Sequence, residues 1–317
     1  MTGYIVRRIG QAIIVVVGVT LLLFFLLQHV PGYPSNIAHT ILGPKATQPQ
    51  IRQFNQVNGL DLGFWHQYGQ FLLHVVEGNL GRSWRQNQTV DSMISSELPR
   101  DIVLVGLSTL LALLIAIPAG IAQAVKRNSA LDHVGTGAAF LLYSMPPYVP
   151  ALIAIDLLAD HWHLFPATAP QSANWLYLLT NPQYIALPVI TLALVTYALF
   201  SRYMRSSAID TLAQDYMRTA RAKGLSERAI LWGHLLRNSV APVVTLVGVS
   251  IPQILTAGLI TESIFNFNGV GFQYAKSATD LDFPVLIGIT VLVALAAVLG
   301  NLLADVGYAV LDPRVRY

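Results

Sequence analysis

Four cations, Arg218, Arg221, Lys223 and Arg228, fall within the stretch Asp215-Tyr-Met-Arg-Thr-Ala-Arg-Ala-Lys-Gly224 and its continuation Leu225-Ser226-Glu227-Arg228. Such a cluster can do one of two things. It can fix which side of a membrane a loop occupies, or it can dock on carboxylates of another protein. Nothing else in the chain is assembled for catalysis. There is no Gly-rich loop ending in Lys-Ser/Thr to cradle phosphates, no His-Glu-x-x-His pair for zinc, and no Gly-x-Ser-x-Gly elbow. The chain has no cysteine, which removes a thiolate nucleophile and thiolate metal sites. His161 and His163 flank Trp162, which is weak support for a metal. The expectation is a chain with no catalytic residue, no metal and no cofactor of its own.

The carboxylates within apolar stretches are few. Asp156 lies four residues before Asp160, Glu262 closes one apolar run and Asp305 lies late in another. Ionisable groups at membrane depth point to function. Asp156 could bind a substrate amine in a cavity, or sit in water at the interface. No run carries the chain of carboxylates and histidines that a proton relay needs.

These groups must be positioned by membrane helices. The chain is 54% hydrophobic and 11% charged, against about 25% charged in an average soluble domain. A spanning helix needs about 20 mostly apolar residues. Six windows qualify: Ile9–Val30, Ile102–Val125, His133–Ile155, Ile185–Phe200, Asn238–Thr261 and Phe283–Ala304. With the N-terminus inside, thirteen Lys and Arg fall in inside segments and six outside, four of those in one long loop. That matches the excess of cations in cytoplasmic loops and puts both termini in the cytoplasm. The long segment Pro31–Pro99 would then lie outside. It reads as a polar helix at Thr47–Asn58 with Pro49 in its first turn, a helix at Trp65–Val76, and a short helix at Val90–Leu98. It is either a docking platform for a partner outside the membrane or a cap over the helices.

Backbone in lipid must satisfy its own polar groups, so the spans are helices. Met145-Pro146-Pro147-Tyr148-Val149-Pro150 interrupts the third. Proline removes a helical hydrogen bond, and irregular backbone at that depth is tolerated inside protein or beside a wet cavity. This segment is expected to border a pathway, with a kinked packing helix as the alternative. Around the basic cluster, Ile209, Leu212, Tyr216 and Ala220 recur on one face of a helix. Gly224 stands where a left-handed cap would end it, and Ser226 where a second helix, about Glu227–Ser239, would be capped. The loop is therefore expected to be a helix–Gly–helix elbow.

Arg218-Thr219-Ala220-Arg221-Ala222-Lys223-Gly224 resembles the cytoplasmic EAA loop of permeases of binding-protein-dependent ABC importers. It is similar in particular to the B-type permeases of the dipeptide/oligopeptide branch. Arg218 stands where the wider family's triplet begins with Glu, and His234-Leu235-Leu236-Arg237 where it has Ile-x-Leu-Pro. The resemblance continues in Tyr4-Ile5-Val6-Arg7-Arg8, Pro31-Gly32-x-Pro34, Gly78-Asn79-Leu80-Gly81-x-Ser83, Thr261-Glu262-Ser263-Ile264-Phe265 and the tail Asp312–Tyr317. At Phe267-Asn268-Gly269-Val270-Gly271 it departs from the branch's usual Leu-Pro-Gly-Ile-Gly.

The resemblance implies an all-α integral membrane protein of the type I ABC importer permease fold, with six transmembrane helices and a long extracytoplasmic segment after the first. The expected parts are 1–30, the tail and first span; 31–99, the extracytoplasmic segment; 100–310, a five-helix core with a coupling loop at 206–239; and 311–317, a cytoplasmic tail. It implies a prokaryotic plasma (inner) membrane, a homologous second permease subunit, two ATPase subunits or domains that bind ATP and Mg, and an extracytoplasmic solute-binding protein. The cargo would be a di- or oligopeptide, or nickel, glutathione or haem in other members of the branch; no nucleic acid is involved. Asp215, Arg218, Thr219, Ala220, Arg221, Ala222, Lys223, Gly224, Leu225 and Arg228 would couple to the ATPases. Tyr143, Met145, Pro146, Pro147, Asp156 and Glu262 are candidate pathway residues. A secondary transporter would instead show paired halves and buried ionisable residues near the midplane.

Overall fold

The computed structural model describes residues 2–311, so the expected tail Asp312–Tyr317 lies outside the described residues. The regular structure of the described residues is helical, apart from one bridge between Arg82 and Thr89. The helices in order are α1 Thr2–Gln28, α2 Ser35–Leu42, α3 Gln48–Val57, α4 Phe64–Val76, α5 Val90–Val125, α6 Ala130–Ser144, α7 Tyr148–Ala154, α8 Trp175–Thr180, α9 Ala186–Leu212 and α10 Asp215–Ala222. They continue with α11 Glu227–Ala229, α12 Leu236–Ser239, α13 Ala241–Ile264, α14 Val270–Asp280 and α15 Phe283–Leu311. Two π-helical turns, Ile155–His161 after α7 and Ile230–Leu235 between α11 and α12, complete the list with a 3-10 turn at Pro182–Tyr184.

Among the described residues, four helices are long and apolar enough to cross a membrane: Gly10–Gln28, Val90–Val125, Ala186–Leu212 and Phe283–Leu302. The number rises to six if each of two bent pairs, Ala130–Ser144 with Tyr148–His161 and Glu227–Ser239 with Ala241–Gly248, counts as one span. Ile13, Ile14, Leu22 and Phe25 on α1 and Ile102, Leu110 and Leu114 on α5 are all exposed. Lipid tails are as apolar as leucine, so a bilayer satisfies such a surface where water does not.

Three expectations change. Val90–Leu98 is not a separate short helix. It runs without a break into the following span, with Pro99 inside α5 giving up a single backbone donor. The third expected span is not one kinked helix, because it divides at Met145–Pro147 with a bend of 106°. The fourth extends past Phe200 to Leu212.

The chain divides into two compact units, Met1–Pro99 with Asn268–Val298, and Arg100–Phe267 with the residues from Leu299 onward. In the first, α4 lies against α1. The Tyr68 hydroxyl donates to the Val17 carbonyl at 2.8 Å, and the Phe24 and Phe71 rings pack around it. The expected helix after Thr47 is present, with the Gln50 side chain accepting from the Thr47 backbone N–H at 2.8 Å. Beyond it, the loop from Gly81 to Thr89 is tied by a carboxylate and by the Gln86 amide, which donates to Gln273 at 2.9 Å. Asp282 accepts from the Ser83 hydroxyl at 2.5 Å and from the Trp84 backbone N–H at 3.1 Å. Two buried clusters make the core of this unit: Ile37, Leu60, Phe283, Leu286 and Ile287, and Val90, Met93, Val270, Val285 and Ile289. The second unit carries the basic cluster and the proline-rich break.

Candidate functional site

α10 ends in a hydrogen-bonded glycine cap. Gly224 has φ +75°, the left-handed region that glycine enters without a Cβ clash. Its N–H bonds the Arg221 carbonyl at 2.9 Å, and the Leu225 N–H reaches the Ala220 carbonyl at 3.4 Å. This pair of bonds is the Schellman arrangement, which satisfies carbonyls that a helix end otherwise orphans. Two residues on, the Ser226 hydroxyl accepts from the Ala229 N–H at 3.3 Å and starts the next helix. Lys223 is the cap residue itself rather than a member of the last turn.

The helix before the glycine differs from the continuous amphipathic helix expected through Ile209–Ala222. The chain breaks at Ala213–Gln214 and restarts at Asp215. The break shifts the phase of the wheel. Met217, not Tyr216, points inward: Met217 is fully buried and Tyr216 is 43% exposed. Beyond Ser226 the π-helical turn has a second effect. Residues five apart lie on different faces of an α-helix, but i→i+5 bonding brings them close to one face. Ile230 and Leu235 are both fully buried.

These residues form one small core. Ala124 at the end of α5, Ala208 on α9, Met217 and Ala220 on α10, and Ile230 and Leu235 beyond the glycine pack together. The elbow is thereby fixed to the ends of two long helices. Residues Arg221–Ala229 are all exposed. Of the four cations of the elbow, Arg218 pairs with Asp215 at 3.8 Å and Arg221 with Glu227 at 3.4 Å, both at the surface. Lys223 and Arg228 carry no ion pair among the described residues. An exposed Trp232, 57% accessible, lies near Ser226 and Arg228. Asp215, Thr219, Ala222 and Leu225 complete the expected set on this elbow; Ala220 faces its core.

The same unit holds an ion pair, buried on its carboxylate side, that the residue spacing does not announce. The Arg205 guanidinium donates Nε–H to Asp132 Oδ1 at 2.5 Å and Nη2–H to Oδ2 at 2.8 Å. Asp132 is 3% exposed and also accepts from the Asn128 backbone N–H at 2.9 Å. Removing Arg205, which is itself half-buried, would strand the buried Asp132 carboxylate at a cost on the order of 3 kcal/mol. The pair joins the first turn of α6 to α9. Close backbone approach nearby is permitted by glycine. A Cβ on Gly120 of α5 would lie 2.7 Å from Met204 Cβ, and one on Gly135 of α6 2.7 Å from the Gln123 amide.

The candidate pathway residues are only partly brought together. Tyr143, Met145, Pro146 and Pro147 lie together at the break, with Ser144 between the first two. Met145 is extended, φ −73° and ψ 134°, as the residue before a proline prefers. Pro146 and Pro147 deprive the Leu142 and Tyr143 carbonyls of their helical donors. The Arg202 guanidinium sits 5.1 Å from the centre of the Tyr143 ring. Asp156 lies exposed in the π-helical turn after α7. Glu262 is on α13, 1% exposed, with its carboxylate over Gly258. α13 packs against α7. The side chain of Asp305 lies outside those described. No cluster of three metal-ligating side chains occurs among the described residues, and His161 and His163 meet only through the His161 carbonyl at 3.2 Å.

Residues 116–317 match the model of the binding-protein-dependent transport system inner membrane component family, and residues 1–105 match the model of its N-terminal region. Over 319 residues the chain is 35% identical to the oligopeptide transport system permease protein AppB of Bacillus subtilis, covering all of both chains. It is 32% identical to the dipeptide transport system permease protein DppB of Escherichia coli strain K12, covering all of this chain and 99% of that one. It is 33% identical over the full length of both to the dipeptide transport system permease protein DppB of Lactococcus lactis.

Proposed function

This chain belongs to the family of binding-protein-dependent transport system inner membrane components, and we propose that it is one half of the translocation pathway of an ATP-driven peptide importer. It is a multi-pass transport permease. In this reading six spans cross the membrane, both termini are cytoplasmic, and the segment 31–99 with α2, α3 and α4 faces the solute-binding protein. A second homologous permease completes the pathway. Two ATPase subunits or domains bind ATP and Mg below. Peptide cargo is supported by full-length similarity to permeases named for oligopeptide and dipeptide transport.

The observation that carries the reading is the elbow. It is capped by its own hydrogen bonds, rooted by Met217, Ala220, Ile230 and Leu235, and bare at its tip. A rigid projection of this kind transmits a push where a floppy tether would absorb it. Lys223 and Arg228, which carry no ion pair among the described residues, are the first candidates for carboxylates in an ATPase groove; Arg218 and Arg221 hold only weak exposed pairs with Asp215 and Glu227. Closure of the ATPases on ATP would carry the elbow and rock the spans between inward-open and outward-open states. The pathway reading of Tyr143, Met145, Pro146 and Pro147 rests on the freed carbonyls at the break, which suit a wet cavity better than lipid.

Co-expression with the second permease, the ATPases and the binding protein, followed by reconstitution in proteoliposomes, tests this. Peptide-loaded binding protein should stimulate ATP hydrolysis and drive peptide uptake. Equal hydrolysis with and without the loaded binding protein contradicts peptide import. The double substitution K223E/R228E should reduce ATPase recovery with the permease while membrane insertion persists. Full recovery would remove the elbow from the interface.

A further inference from the structure

We propose that the Asp132–Arg205 pair is the positioning link that makes α6 follow the elbow. The inference rests on the elbow reading above and concerns what lies on the membrane side of it. Arg205 and Ala208 are three residues apart on α9, about 4.5 Å along the axis. Ala208 is buried in the elbow core, so that turn of α9 moves with α10. One turn back, Arg205 grips Asp132 through both guanidinium edges. A forked pair of charge-assisted bonds fixes angle as well as distance, which apolar contacts between helices do not.

On the other side, Asp132 is tied to its own helix. It accepts from the Asn128 backbone N–H and, at 3.4 Å, from the Thr136 hydroxyl. A pull on the carboxylate therefore moves the turn before α6 and α6 together. From Asp132 the helix runs to Ser144 and stops at Met145 and the two prolines. That is a lever of about 20 Å with its far end at the break. A second contact reaches the same end, where Arg202, also on α9, lies over the Tyr143 ring. The elbow's motion thus has a defined route into the bent arm, in which α6 packs along α9 and the ion pair is the contact that fixes angle at the elbow end.

The test uses the reconstituted transporter with all partners and reads peptide taken up per ATP hydrolysed, alongside ATPase recovery with the permease. Asp132→Asn and Arg205→Gln should keep ATPase recovery and hydrolysis while uptake per ATP falls about tenfold, within the usual range for coupling between sites. Arg205→Lys keeps the charge without the fork and should lie between them and the parent. An unchanged ratio in D132N and R205Q overturns the link. A loss of uptake matched by an equal loss of assembled complex also overturns it, because the pair would then serve folding alone. K223E/R228E is measured in the same membranes. Undiminished ATPase recovery there sinks the elbow reading and the link with it, whereas a preserved ratio in D132N sinks the link alone.

Discussion

Two of the helix breaks, at Gly224 and at Met145–Pro147, are made in chemically opposite ways. At Gly224 the interruption is made by a residue that can take φ +75°, and the lost helical bonds are replaced by others from Gly224 and Leu225. At Met145–Pro147 it is made by residues that have no donor to give, and the carbonyls of Leu142 and Tyr143 lose their helical donors. The first break is backed by Met217, Ile230 and Leu235, all fully buried. The second is flanked by the exposed side chains Phe140, Leu141 and Tyr143. A sealed break behaves as a bracket, and an open one as a joint. In a protein that must convert motion on one side of a membrane into access on the other, a bracket belongs where force enters and a joint where the path changes shape.

Substitutions can break this contrast, and the largest effect is expected at the bracket. Gly224→Val places a β-branched side chain at positive φ, where the backbone strain is on the order of 1–2 kcal/mol. Uptake should fall about tenfold with continued ATP hydrolysis, as expected for lost coupling. Uptake at the parent rate would show that the glycine cap is dispensable. Next comes the joint. Pro146→Ala with Pro147→Ala restores two backbone donors and should straighten the arm, with a severalfold loss of uptake and little change in ATPase recovery. Parent uptake would mean the bend plays no part in transport.

A smaller effect is expected from hollowing the bracket's core. Met217→Ala removes a fully buried side chain at a cost on the order of 3 kcal/mol. It should lower the unfolding temperature of the purified complex and reduce uptake a fewfold; an unaltered melting curve would show that Met217 does not hold the elbow. The smallest effect is at the surface. Arg221→Gln breaks an exposed pair with Glu227, and uptake should stay within about twofold of the parent. A loss as large as that of Gly224→Val would make Arg221 a docking residue after all.

Much of this was legible in the residues because it depends on neighbours in sequence. The uncharged windows locate the long helices, the Gly224–Ser226 spacing marks the end of one helix and the start of the next, and Pro49 just after Thr47 marks the start of α3. What was not legible depends on distance or on phase. Asp132 and Arg205 are 73 positions apart, and each read alone is a boundary charge beside a span. Met217 was hidden because the break at Ala213–Gln214 resets the helical phase. The joint placement of Ile230 and Leu235 needs an i→i+5 turn that a 3.6-residue wheel does not contain. The 106° at Met145–Pro147 is the sum of two prolines and an extended residue, and the sequence marks the place of a bend better than its size.

The absence of cysteine allows the contrast between bracket and joint to be measured directly. Paired cysteines can be introduced at exposed positions, Tyr216 with Trp232 across the glycine break and Phe140 with Ile153 across the proline break, and spin-labelled in the complete transporter. Distances are then read with and without non-hydrolysed ATP. The account predicts that the Tyr216–Trp232 distance is narrow and unchanged, while the Phe140–Ile153 distance shifts between the two states. A constant distance across Met145–Pro147 together with a shifting one across Gly224 would contradict it.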